Sequence, residues 1–239
     1  MLDIKDLKVW VEEKEVLKWV DMSFELGKNY CILGKNGSGK SSLAMSIMWH
    51  PSYEIIDGSI TLDWVDLSQM EPDERSKAGI FLAFQSIPEI KGVKLFEFLR
   101  TIYNARREKK ESFVSFKKII LPHLDALGID KEFLWRDVNV GFSGWERRKI
   151  EILQLKLLEP SYIFLDEVDS GLDVDAFRSV AALLQQLDTT QNTIVIITHY
   201  FTILEYIDVD TVSVLEDGSI TRQWDKTLAD EIATEWFGE

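Results

Sequence analysis

The run Gly34-Lys35-Asn36-Gly37-Ser38-Gly39-Lys40-Ser41 meets the spacing G-x-x-x-x-G-K-[ST] at every fixed position. That spacing suits a phosphate chain. Glycines let backbone N–H groups crowd around phosphate oxygens, because no Cβ blocks the approach. Lys40 would reach the β- and γ-phosphates, the hydroxyl of Ser41 would complete a Mg²⁺ shell, and Ser42 follows in the same turn. A second chemical element comes later, where Tyr162-Ile163-Phe164-Leu165 ends in Asp166-Glu167. Acids at the carboxyl end of a parallel strand project into the crevice where ligands bind. Asp166 would hold Mg²⁺, directly or through water, and Glu167 would polarise an attacking water as general base. The chemistry implied is hydrolysis of a nucleoside triphosphate.

The surrounding elements are those needed to position these groups. Tyr30-Cys31-Ile32-Leu33 has the length of a buried strand, and apolar spacing turns helical from Lys40 to Met48. A helix starting near Lys40 would aim its positive dipole end at the phosphates. Leu7-Lys8-Val9 and the stretch 16–24 read as strands, 55–67 as a hairpin and 78–84 as another buried strand. Leu95, Phe98, Leu99, Ile102 and Tyr103 lie on one face of an amphipathic helix. The stretch 86–158 reads as a mostly helical insertion. Mixed α/β patterning resumes with the strand at 162–165, a helix over 174–187 and a buried strand over 193–197. Short apolar strands alternating with helices imply an α/β fold with a largely parallel sheet covered on both faces.

The chain has 239 residues, 46% hydrophobic and 28% charged, which excludes a wholly disordered or collagen-like protein. Asp and Glu number 41 against 27 Lys and Arg, for a formal charge of −14. So acidic a chain, without a long basic run, is a poor partner for nucleic acid or anionic membranes. The single cysteine, Cys31, excludes an intramolecular disulfide and a four-cysteine zinc site. No apolar run reaches the roughly 18 residues needed to span a bilayer, and Met1-Leu2-Asp3-Ile4-Lys5 does not read as a signal peptide. The expectation is a soluble, cytoplasmic protein without direct membrane insertion.

Gly141-Phe142-Ser143-Gly144-Trp145-Glu146, upstream of Asp166, adds a further motif. Together with the elements above it resembles the ATP-binding cassette (ABC) ATPases, whose signature is close to L-S-G-G-Q/E. The order along the chain also fits: phosphate loop, Gln85, helical insertion, signature, Asp166-Glu167, Ser170-Gly171-Leu172-Asp173, then His199. The resemblance implies one cassette over 1–239. Its RecA-like P-loop core and antiparallel β subdomain would lie in 1–85 and 159–239, with a helical subdomain carrying the signature in 86–158. It implies ATP and Mg²⁺ as cofactors. By the same resemblance, Gln85 would link Mg²⁺ and water to the helical insertion, and His199 would contact the γ-phosphate. Asp173 would lie on the loop between nucleotide sites, and Ser143 and Gly144 would face the nucleotide of a second copy.

Within that family the stretches His50-Pro51-Ser52-Tyr53-Glu54, Pro88 to Val93, Phe98 to Arg106 and Asp169 to Ala176 are similar to the SufC-type ATPases of the SUF iron–sulfur cluster assembly system. This resemblance implies SufB- and SufD-like partners, and leaves the cluster chemistry to them. The alternatives are the ATP-binding subunit of a membrane ABC transporter, and an ATP-binding scaffold with little turnover.

Tryptophan is the anomaly. Trp10, Trp19, Trp49, Trp64, Trp135, Trp145, Trp224 and Trp236 stand where SufC-like sequences commonly carry glycine, or where a turn favours it. Glycine itself is scarce, at 13 residues. Trp49 follows a helix, where glycine ends the last turn. Asp63-Trp64 separates two apparent strands, where Asp-Gly is the usual pair. The reading is that all eight are UGA codons, glycine in the living cell, rendered as tryptophan; the alternative is eight genuine tryptophans in core, interface or adenine-stacking roles. Trp10 has a rival role in stacking on adenine. As written, Trp145 is expected to weaken hydrolysis by crowding the signature, and tryptophan at positive φ is expected to carry a steric penalty.

Overall fold

A computed structural model describes residues 1–168, 174–185, 191–199, 204 and 206–225. The chain divides into two compact units. One holds the described residues of Met1–Gln85, Ser161–Asp169 and Asp188–Glu239, and the other those of Ser86–Pro160 and Ser170–Leu187.

The first unit has two sheets. Strands β1 (Leu2–Val11), β2 (Lys14–Phe24), β4 (Glu54–Leu62) and β5 (Val65–Asp66) form an antiparallel sheet in the order β2-β1-β4-β5. Apolar residues on β1 (Leu2, Ile4, Leu7, Val9) and β2 (Leu17, Val20, Met22, Phe24) are buried while most of their neighbours, buried Asp3 apart, are exposed or partly exposed, as expected for a sheet covered on one face. The second sheet runs β12-β11-β3-β10-β9-β6, from β3 (Tyr30–Leu33), β6 (Ile80–Ala83), β9 (Tyr162–Asp166), β10 (Thr193–Thr198), β11 (Thr211–Glu216) and β12 (Ser219–Asp225). All pairings are parallel except β11 with β12. Every residue of β3, β6, β9 and β10 is buried, which is why these strands read as continuous apolar runs. Phe24 sets its ring edge-on to Tyr30 at 5.1 Å and to Phe164 at 5.5 Å, tying the two sheets into one core.

Helix α1 (Lys40–Ile47) follows β3, and the six-residue α2 (Pro72–Lys77) precedes β6. The sequence reading missed α2. It is held by Pro72 at its start and by a reciprocal capping box between Glu71 and Glu74. Arg75 of α2 is fully buried. Its guanidinium donates to the carbonyls of Ser46 and Ile47 at the end of α1, and to those of Met70 and Leu67. A cation there complements the negative end of α1. Burial lowers the guanidinium pKa to about 10, against the opposing pull of Asp66 and Glu71.

The second unit contains α3 (Leu95–Ala105), α4 (Phe113–Leu127), α5 (Gly144–Leu158) and α6 (Val174–Leu184), with a 3-10 turn at Lys131–Trp135. Phe116, Ile120, Leu124 and Leu127 of α4 are buried at helical spacing. It also has a short two-stranded sheet of β7 (Ile90–Lys94) and β8 (Asp137–Val138), within the stretch expected to be mostly helical. Among the described residues no helix is long and apolar enough to cross a membrane.

Of the tryptophans, Trp19 (φ 52°), Trp49 (φ 57°) and Trp64 (φ 71°) have left-handed backbone. The expected strain does not extend to Trp10, Trp135, Trp145 or Trp224; Trp145 is an ordinary helical residue of α5. Trp236 lies outside the described residues.

Candidate functional site

Four parallel strands carry the sequence-selected groups past one edge. Gly34 follows β3, Gln85 lies just beyond β6, Asp166 ends β9 and His199 follows β10. Parallel pairing brings all four carboxyl ends to the same side, which is where an α/β sheet binds ligands.

The phosphate loop is shaped by close approach. A Cβ on Gly34 would sit 2.3 Å from the carbonyl oxygen of Leu215 in β11 and 2.6 Å from Ser38 Oγ, so only glycine fits. Lys40 is 4% exposed, and its Nζ donates to the carbonyls of Gly34 (2.8 Å) and Lys35 (3.0 Å). Ser38 Oγ is buried and has no hydrogen-bond partner among the described residues. A buried hydroxyl without a partner is costly unless something else meets it, and a phosphate oxygen would do so. Ser41 Oγ donates to Asp166 Oδ1 at 3.1 Å, bringing two hard oxygen donors of the kind Mg²⁺ takes alongside phosphate oxygens.

Glu167 stands between two neighbours. Its Oε2 accepts from Gln85 Nε2 at 2.5 Å, and its Oε1 lies 3.3 Å from His199 Nδ1. Its backbone N–H donates to Ile197 at 2.8 Å, and its φ is 45°. A cavity of about 400 Å³ is lined by Val16, Asn36, Gly37, Gly39, Lys40, Ser41, Ser42, Gln85 and Glu167. The donors present fit a triphosphate with its metal ion: a lysine ammonium, amides of a glycine loop, an unmet hydroxyl and a hydroxyl–carboxylate pair. Residues 17–170 match the sequence pattern of the family described as ABC transporter.

The chain belongs to the ABC ATPase family.

Relatives span its whole length. The probable ATP-dependent transporter ycf16 of Cyanophora paradoxa is 42% identical over 247 residues, covering 100% of this chain and 95% of its own. The probable ATP-dependent transporter slr0075 of Synechocystis is 44% identical over 236 residues, covering 97% of this chain and 94% of its own. The dimeric structure of MJ0796, a bacterial ABC transporter cassette, matches the fold at TM-score 0.79 with 21% identity, covering 94% of this chain and 98% of that one. The fold is therefore the ABC cassette, with its antiparallel β subdomain, and the protein is an ATPase.

The signature turn of the cassette belongs to the second unit. Ser143 caps α5: its Oγ accepts from the N–H of Glu146, and the Glu146 carboxylate accepts from the N–H of Ser143 at 2.7 Å. That backbone N–H, foremost, holds the Glu146 carboxyl below the ordinary carboxylate range. Ser143 and Gly144 are exposed, and a Cβ on Gly144 would meet nothing within 4 Å. Trp145 is half-buried, with Lys149 Nζ 5.3 Å from its ring. Asp173 lies outside the described residues. Trp10 pairs with Glu15 on the β subdomain and is not among the residues lining the phosphate cavity.

Sequence reasoning missed the brace behind the loop. The Asp217-Gly218 turn between β11 and β12 donates its Gly218 N–H to Ser38 at 3.0 Å and accepts at Gly218 from Lys18 at 2.7 Å. With Lys35 to Ser38, Glu216 and Asp217 line a second cavity of about 450 Å³. The Asp-Gly pair between two apolar runs was the available signal.

Proposed function

We propose that the cassette hydrolyses Mg²⁺-ATP to drive a change of shape in an iron–sulfur cluster assembly complex of the SUF type. Its partners would be SufB- and SufD-like scaffolds, with a second copy of itself across the nucleotide. The observation that carries ATP hydrolysis is the convergence of Lys40, Ser41, Gln85 and Glu167 on one cavity. The assignment to SUF rests on the stretch from Pro88 to Arg106 and on His50 to Glu54.

Binding begins with an exchange of partners. The β- and γ-phosphates take over Lys40 from the carbonyls of Gly34 and Lys35, and the amides of Lys35 to Gly39 close around them. The hydroxyl of Ser38 gains an acceptor. Ser41 and Asp166 would hold Mg²⁺, with Gln85 beside them. Bound Mg²⁺ neutralises charge developing on the transferred phosphoryl group. Glu167 accepts the proton of the attacking water at a carboxylate oxygen, while Gln85 and His199 fix the orientation of that carboxylate. His199 also reaches the γ-phosphate, and Asp173 borders the nucleotide. From the second copy, Ser143 and Gly144 present the N-terminus of α5 to the phosphates, where helix amides and dipole favour an anion. Closure around nucleotide then biases the partners through differential binding to the two states.

A transporter subunit is the second reading, favoured by the relatives named as ATP-dependent transporters. Isolating the tagged cassette from its source cells separates the two. A SufB-like scaffold is the expected companion, and a membrane permease in its place would overturn the SUF assignment. Steady-state ATP hydrolysis in that complex tests the enzyme against a non-hydrolysing scaffold.

A further inference from the structure

Three tryptophans occupy three unrelated backbone motifs that call for the same residue. Trp64 is the second central residue of a two-residue turn: Leu62 pairs with Val65, Asp63 has φ 47° and Trp64 φ 71°. Positive φ at both central positions defines the I′ hairpin turn, whose usual pair is Asn-Gly or Asp-Gly. Trp49 is the first residue past the cap of α1. Its N–H donates to Ser46 at 3.0 Å, and the N–H of His50 donates to Met45 at 3.0 Å. Those two bonds make the helix-ending motif whose left-handed residue is usually glycine. Trp19 lies in a β-bulge, where Leu7 and Val9 of β1 face Val20 and Leu17, leaving one extra residue on β2. The common bulge of this kind carries glycine in the left-handed region.

The side chains give no counter-reason. Trp64 is 86% exposed and Trp19 53% exposed, and none of the seven described tryptophans is buried. Lys8 Nζ lies 3.6 Å from the ring centre of Trp19, and the guanidinium of Arg75 4.8 Å from that of Trp49. The Lys8–Trp19 contact is at an exposed position, where such contacts are weak, and buried Arg75 is already held by four backbone carbonyls without the ring of Trp49. Among the described residues, every other non-glycine at positive φ is Asp, Asn or Glu. Asn and Asp tolerate that region through local hydrogen bonding, and a bulky aromatic residue does not.

We infer that positions 19, 49 and 64 are glycine in the protein as its own cell makes it, because that cell reads as glycine a UGA codon written here as tryptophan. The same reading for the other five tryptophans requires that UGA encode them too. It would leave no tryptophan and bring glycine from 13 to an ordinary share, roughly 7% or more. The inference rests on backbone conformation and is independent of the ATPase assignment.

Two experiments test it. Peptide mass spectrometry of the protein isolated from its source cells, read beside the gene, is expected to give glycine at 19, 49 and 64 from UGA codons. Tryptophan in any of those native peptides, or a UGG codon at any of the three, overturns it. In the polypeptide as written, Trp64→Gly should raise the thermal midpoint by roughly 2–8 °C. Trp64→Ala, which removes the ring but keeps a Cβ at positive φ, should gain less than half of that. Equal gains for alanine and glycine, or no gain for glycine, would overturn the backbone argument.

Discussion

Glu167 combines two properties that substitution can separate. It is 7% exposed, its carboxylate stands between Gln85 and His199, and its φ is 45°. Glu167→Gln keeps the volume and an acceptor oxygen for Gln85, and removes only the base. General-base catalysis is worth about 10²–10⁴ in rate, or roughly 2.7–5.4 kcal/mol at about 1.36 kcal/mol per decade. Turnover should fall by that factor with nucleotide affinity within about threefold of the parent, about 0.65 kcal/mol on the same scale. Glu167→Ala and Glu167→Gly probe the backbone. Both delete the carboxylate and its two contacts equally, so their difference isolates the left-handed φ. That conformation costs a non-glycine residue on the order of 1 kcal/mol, so the glycine variant should melt about 2–4 °C above the alanine variant. Steady-state phosphate release, nucleotide titration and thermal melts on the folded variants give all three quantities. Undiminished turnover in Glu167→Gln would remove the base assignment, and a glycine variant no more stable than alanine would remove the claim of strain.

Lys40→Ala should weaken ATP binding by about 10–150-fold, the loss of one or more charge-assisted contacts of roughly 1.5–3 kcal/mol; calorimetric titration of folded protein reads it, and unchanged affinity would refute the site. Trp145→Gly should raise turnover of the paired cassettes by roughly tenfold or more, about 1.4 kcal/mol of barrier, and equal rates would defeat the crowding argument. Arg75→Met should lower stability by about 2–4 kcal/mol, because buried carbonyls at the end of α1 lose their donor; denaturant unfolding measures it. Tyr162 is 2% exposed, and burial, aided by Asp63 and Asp3, pushes its phenol up to about 12. Its contribution to stability, about 2–3 kcal/mol from a raised pKa, is present below pH 10 and is lost as pH rises towards 12. Tyr162→Phe should flatten that alkaline slope.

The phosphate loop, its strand and its helix were legible because four consecutive apolar residues, a glycine run and a change of spacing fall next to one another. Asp166 and Glu167 were legible as acids closing a buried strand. Gln85 and His199 carry no such local mark. They were reached only through the order of motifs, and the sheet register is what brings Gln85 and His199 to the two oxygens of Glu167. Arg75 was invisible. In Glu71-Pro72-Asp73-Glu74-Arg75-Ser76-Lys77 it reads as part of a solvated charged face, yet it is the largest fully buried side chain among the described residues. Nothing local distinguishes it from Lys77, whose Nζ sits in an exposed pair with Asp73. The β7–β8 pairing joins residues far apart in sequence through a strand containing Gly92, so no short-range pattern announces it.

Left-handed backbone divides the unusual residues of this chain by what accompanies the strain. At Glu167 it comes with burial, two polar partners and a place at the cavity wall, the company expected where strain serves a site. Asp217 takes the same conformation in the turn whose next residue braces Ser38, so it too supports the loop. Trp64 has none of this: its ring lies in solvent, and its turn faces no cavity of the nucleotide site. Strain without a local return does not persist at three independent positions by selection, whereas glycine at those positions removes it altogether. That asymmetry also bears on the signature. Trp145 is unstrained, so backbone geometry gives no reason to doubt it, and only its effect on the phosphates of a second copy can. The melts of Trp64 variants and the turnover of Trp145→Gly therefore interrogate the glycine reading through two unrelated physical effects. A rise in the first without the second would keep glycine at the turns and withdraw it from the account of catalysis.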